Sequence, residues 1–139
     1  MSGRHDEWLD RAEDDLKFAK VGLREEFFAQ VCFHAQQCIE KSLKGALVAM
    51  GRSYPKSHSL AELLKKLPEL KLDAWRVSIM IIDGYYVPLR YPDAAPGMKS
   101  SGPPNGKEAK DALDTAEEVF GAVCRFISHL HSTKKQGRV

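Results

Sequence analysis

From about residue 6 to residue 131, apolar side chains recur at three- and four-residue steps, a spacing that gathers them on one face of an α-helix. Trp8, Leu9, Ala12, Leu16, Ala19 and Leu23 make residues 6–24 an amphipathic helix. Phe28, Cys32, Ala35, Ile39, Leu43 and Ala46 do the same for 26–50, and Gly51 is placed to stop it. Ser59-Leu60-Ala61-Glu62 fits a capping box that opens a short helix ending near Pro68. Residues 72–87 form a dense apolar stretch in which Trp75, Ile79, Ile82 and Tyr86 keep the helical step, closed by Pro88. The longest stripe runs from Ala109 through Ala116 and Val123 to Leu130, with Asn105 as its cap and Glu108 three residues on. One interval breaks the rhythm. Five of the seven prolines fall in residues 88–106, an irregular link of a length that small bundles seldom carry without a use for it.

The fold expected is all-α: an antiparallel up-and-down helical bundle of four long helices plus one short helix. Residues 1–131 form one domain with the irregular loop 88–106, and 132–139 a flexible basic tail. A chain of 139 residues has room for one core. It contains no apolar run near the roughly 20 residues of a membrane span, and the first 15 residues lack the apolar segment of a secretory signal. A net charge of +2 is far from the excess that marks a nucleic-acid binder on charge alone. Cys32 and Cys38 are six apart, turned about 240° from each other on a helix, so they cannot share a metal. With Cys124 they read as small buried hydrophobes in a reducing cytoplasm, where the chain is expected to reside.

Three groups of residues could carry chemistry. Gln30, His34, Gln37, Lys41 and Lys44 fall on one stripe of the second helix, with Gln36 and Glu40 beside it. Such a stripe is either a solvated face or one wall of a site between helices. His58, at the start of the short helix, is chemically able to act as acid, base or phosphate contact. Tyr86, Arg90, Tyr91 and Asp93 lie in a stretch braced by Pro88 and Pro92, where an arginine between aromatic rings suits a phosphate or carboxylate. An Arg90–Asp93 or interhelical salt bridge is the structural alternative. The chain has no Walker loop, GxGxxG, HExxH or GxSxG, and no cofactor or metal is expected.

In this order the motifs resemble a known family. Trp8…Asp15-Leu16, then Phe33-His34-Ala35-Gln36-Gln37-Cys38-Ile39-Glu40-Lys41-Ser42-Leu43-Lys44, His58-Ser59-Leu60, and Arg90-Tyr91-Pro92-Asp93 are similar to the HEPN domain (higher eukaryotes and prokaryotes nucleotide-binding), over about residues 7–130. The resemblance implies a helical homodimer, often encoded beside a minimal nucleotidyltransferase with which it associates, in some cases as toxin and antitoxin. It implies a nucleotide- or RNA-binding protein, with Arg90 holding phosphate and Lys41 and Lys44 adding positive potential. Tyr86, Tyr91, His58, Gln37 and Asp93 would complete the site. Nuclease members carry an arginine, four to six residues, then a histidine. No histidine follows Arg90 within that reach, while Arg52–His58 and Arg125–His131 have the spacing at other positions. A metal-independent endoribonuclease using Arg90 and His58, and a non-catalytic interaction module, are the alternative readings.

Overall fold

The computed structural model describes residues 3–85 and 102–137, and these are all-α with no strand among them. Helix α1 (Gly3–Arg24) turns back through Glu25–Phe27 into α2 (Phe28–Ala49). The turn is tight because Glu26 adopts a left-handed φ of 63° and Phe27 N donates to Gly22 O at 2.8 Å. The hairpin is antiparallel along its length: Gly22 faces Val31, Asp15 faces His34 and Lys41, and Gly45 faces Trp8 and Leu9. At Gly45 a Cβ would lie 3.3 Å from Trp8 Cβ and 3.3 Å from Leu9 Cδ2, so a glycine is what lets the helices approach there. Helix α2 stops where expected. Gly51 takes φ +73°, with Arg52 N donating to Leu47 O and Gly51 N to Val48 O, the two bonds of a Schellman ending.

The return leg is short-pitched. It consists of α3 (Leu60–Lys65), a 3₁₀ turn at Pro68–Leu70, another at Asp73–Trp75, and α4 (Arg76–Asp83). Ser59 caps α3 as the sequence indicates, its hydroxyl accepting from Glu62 N. A second cap comes from α4: Asp83 accepts from Leu60 N at 2.8 Å and Ala61 N at 3.3 Å, so the end of one short helix is fastened to the start of the other. The stretch 72–87 is expected as one long helix; of its described residues, 72–85, three form a 3₁₀ turn and eight an α-helix. Lys71 is left-handed (φ 53°), and Leu72 and Trp75 depart from helical geometry, so the helix starts late. Its apolar density also exceeds its burial. Ile79 and Ile82 enter the core, while Val77 is 73% and Ile81 59% exposed.

Helix α5 (Gly106–Gly137) opens on the expected capping box, Asn105 and Glu108 each accepting the other's backbone N–H at 2.8 and 2.9 Å. It runs antiparallel to α1, since Lys20 pairs with Glu117 and the His5 and His131 rings meet at 5.2 Å. It therefore runs parallel to α2, and Gly106 starts under the Phe28 ring. The core lies among these three helices: Ala12, Leu16 and Ala19 from α1; Cys38, Ile39, Leu43 and Ala46 from α2; Ala109, Ala116, Val119 and Val123 from α5. The alanines bring the helix axes close, and α3 and α4 seal one side with Leu60, Leu63, Ile79 and Ile82. Tyr86, Arg90, Tyr91 and Asp93 lie outside the described residues.

Cys32 and Cys38 are buried and Cys124 is partly so, all as free thiols. Burial pushes the Cys38 thiol up to about 12. Two outcomes follow. At pH 8 Cys38 holds no thiolate, so a thiol-specific label modifies Cys124 first in native protein, and Cys38 reacts only on unfolding. Replacing Asp83 by Ala removes the shared cap of α3 and lowers stability in urea by about 1–2 kcal/mol.

Candidate functional site

Gln36, Glu40 and Lys44 are spaced four apart on α2, so they stack along one face of the helix. That face is covered by the segment that follows α2, and all three side chains are buried. A buried carboxylate must be matched by donors or it will take up a proton. Glu40 has four. Lys44 Nζ donates to Oε2 at 2.8 Å, and His58 Nδ1 lies 3.0 Å from Oε2 and 3.2 Å from Oε1. Gln36 Nε2 and Gln37 Nε2 reach Oε1 at 3.3 and 3.4 Å. Gln36 also donates to the backbone carbonyl of His58 at 3.1 Å and accepts from Gln37 Nε2 at 2.7 Å. The network fixes both amides and binds the residue-58 segment to α2. His58 is its outlet to solvent, with 42% of its side chain exposed. A carboxylate on Nδ1 sets the imidazole's orientation and tautomer.

A second carboxylate stands across the α1–α2 seam. Asp15, also buried, holds His34 Nδ1 at 2.8 Å and Lys41 Nζ at 2.7 Å. The charges of Lys41 and Lys44 are therefore each balanced by an acidic side chain. Lys44 touches a third element as well, its ammonium 5.5 Å from the centroid of the Trp8 ring and 5.4 Å from that of Tyr54. Those rings meet edge to face at 5.5 Å and 87°. Beside them Arg4, Glu7, Trp8, Arg11 and Tyr54 line an open cleft of about 190 Å³.

Of the residues expected at the site, His58, Gln37 and Lys44 meet on Glu40, and Lys41 sits one turn away on Asp15. Arg52 does not pair with His58 despite its spacing. Its guanidinium is held by Glu69 at 2.5 Å and by Lys66 O at 3.0 Å. Glu40 and Asp15 are the organising groups, and the sequence reading does not single them out. The signals are present: Asp15 is the one acid of its run in step with Ala12, Leu16 and Ala19, and Gln36-Glu40-Lys44 has i, i+4 spacing.

Comparison with known proteins follows the same outline. A family model described as "HEPN domain" matches residues 5–127. A protein of Methanocaldococcus jannaschii named "Putative toxin MJ1304" is 25% identical, over 92% of this chain and 91% of that protein. Two crystal structures are also similar. ST0689, an archaeal HEPN homologue, has a TM-score of 0.69 and 28% identity, over 89% of this chain and 98% of its own. TT1696 from Thermus thermophilus has a TM-score of 0.73 and 34% identity, over 88% of this chain and 97% of its own.

Removing Glu40 strands an ammonium in the interior. Glu40→Ala is expected to cost about 3–5 kcal/mol in urea unfolding, and adding Lys44→Met to recover more than half of that loss. A double mutant no more stable than Glu40→Ala alone would show that the pair is not the coupled unit.

Proposed function

The chain belongs to the HEPN domain family, and on that footing we propose that it is a nucleotide- or RNA-binding protein with a toxin-like role, acting as a homodimer with a minimal nucleotidyltransferase as its partner. The observation that carries the reading is the half-exposed imidazole of His58, fixed through Nδ1 on the buried Glu40 carboxylate. An imidazole oriented by a buried carboxylate and partly open to solvent is suited to contacting phosphate or moving a proton, which supports the reading. The toxin name of the M. jannaschii relative supports the role. Arg90, with Tyr91 and Asp93 beside it, supplies the phosphate contact in this reading, and Tyr86 a face for a base.

A second reading is favoured by the same Glu40–His58 pairing: a metal-independent endoribonuclease. Here His58 Nε2 takes the proton of a ribose 2′-hydroxyl as its oxygen attacks the adjacent phosphorus. The P–O5′ bond breaks as the 5′-oxygen takes a proton from the imidazolium so formed or from water, giving a 2′,3′-cyclic phosphate and a free 5′-hydroxyl.

Calorimetric titration with ATP and with a single-stranded oligoribonucleotide tests the first reading. Heat is expected for wild type, weakened about tenfold or more in Arg90→Ala and in His58→Ala, each removing one charge-assisted contact. No heat with any ligand, or heat unchanged in both variants, overturns it. Labelled RNA in EDTA separates the second. Cleavage that survives the chelator and falls about a hundredfold or more in His58→Gln marks the nuclease, and intact RNA removes it.

A further inference from the structure

The cleft between the start of α1 and the segment after α2 is lined by none of the residues of the Glu40–His58 site, which it touches only through Lys44 beneath its rings. Arg4, Glu7 and Arg11 are successive rungs of one face of α1, and Trp8 stands beside them. Tyr54 arrives from the segment after α2 and closes on Trp8 edge to face. Among the described residues no carboxylate lies within ion-pair distance of Arg4 or Arg11, whereas Lys41, Lys44 and Arg52 are each taken by an acid. Both guanidinium groups are exposed at the rim. Lys41, Lys44 and Arg52 are thus matched to the protein's own carboxylates, and two forked donors share a cleft with an aromatic pair.

The rings are held in place. Lys44 Nζ lies about equally far from both centroids and is anchored by Glu40, and Trp8 Cβ rests 3.3 Å from the position that a Cβ on Gly45 would take. An aromatic surface fixed before a ligand arrives loses little entropy on binding. The donors and acceptors then define the ligand. Two guanidinium groups suit phosphate oxygens, the ring surface suits a base, and Glu7 is an acceptor for an amino group or a ribose hydroxyl. A bare inorganic anion would leave the rings unused and meet the Glu7 carboxylate unfavourably. At about 190 Å³ the cleft takes one unit of a ligand rather than a drug-sized molecule, which is several hundred Å³.

We propose that the Arg4–Glu7–Trp8–Arg11–Tyr54 cleft is a nucleoside-phosphate subsite separate from His58, with Arg4 and Arg11 on the phosphate and the Trp8–Tyr54 surface under the base. The subsite deepens the nucleotide- or RNA-binding reading given above and rests on it for the class of ligand. Free nucleotide and a nucleotide within a strand share this chemistry, so both are tested.

The test is Trp8 fluorescence in a Trp75→Phe background, where Trp8 is the only indole. AMP, a single-stranded hexaribonucleotide and inorganic phosphate are titrated separately. Saturable quenching by AMP or by the hexamer is expected, weakened about tenfold or more in Arg4→Ala/Arg11→Ala and in Tyr54→Ala, and retained in His58→Ala. A hexamer that binds tighter than AMP assigns the cleft to a strand; AMP binding as well or better assigns it to a free nucleotide. Quenching that inorganic phosphate matches, or that survives Arg4→Ala/Arg11→Ala, overturns the subsite. Calorimetric heat that is lost in His58→Ala but unchanged in Arg4→Ala/Arg11→Ala overturns it while leaving the His58 reading standing. No response to any ligand by either method removes both.

Discussion

A carboxylate inside a helical bundle is costly, and the arrangement of this protein follows from how Glu40 is matched. Its donors come from its own helix and from the segment that leaves it: Lys44 one turn on, Gln36 one turn back, Gln37 beside it, and His58 eighteen residues later. Satisfying Glu40 therefore fixes the path of the chain after α2. With residue 58 held, Ser59 stands at the start of α3, and Asp83 can be brought to the same helix end. The return leg is held by this charge as well as by the burial of Leu60 and Leu63. The stability that such a cluster adds is modest, because desolvation offsets most of the attraction; what it contributes is one geometry rather than several.

Helix α2 carries two such clusters on different faces. The Asp15 cluster joins it to α1 and the Glu40 cluster joins it to the return leg, and Lys44 reaches from the second to the rings of Trp8 and Tyr54. The polar stripe of α2 is consequently neither a solvated face nor an open site wall along its length. It is a set of internal ties with one exposed product, His58. The exposed arginines that flank the aromatic pair belong to α1, a different helix from the one whose sequence draws attention to basic residues.

How far the molecule is legible in its sequence depends on whether a feature is local. The capping box at Asn105 and Glu108, the Ser59 cap and the Gly51 stop each involve residues within a few positions, and each is built as read. The α5 stripe is plain because one face is buried from Ala109 to Ile127. The 72–87 stretch misleads because it is apolar all round while only Ile79 and Ile82 of its helix are covered; periodicity counts apolar residues without saying what stands against them. His58, Gln37 and Lys44 can be picked out, but their common partner is easily passed over, since only its i, i+4 spacing from Gln36 and Lys44 sets Glu40 apart on a polar stripe. The cleft is out of reach in principle: residues 4, 8 and 11 are joined to 54 only when the hairpin closes and the chain after Gly51 turns back. Arg90 and its neighbours lie outside the described residues, so the motif most suggestive of phosphate rests on sequence alone.

The parallel alignment of α2 and α5 has a consequence for how the molecule is made. Helices α1 and α2 are neighbours in the chain and can pair as soon as both leave the ribosome, but their shared seam is closed only by α5, the last of these helices to be translated. Until then Cys38, Ile39 and Leu43 lack the part of the shared core that Ala116, Val119 and Val123 supply. A chain broken off before α5 would leave one side of that core uncovered. The apolar face of the α1–α2 hairpin is thus exposed for as long as α5 is still being made.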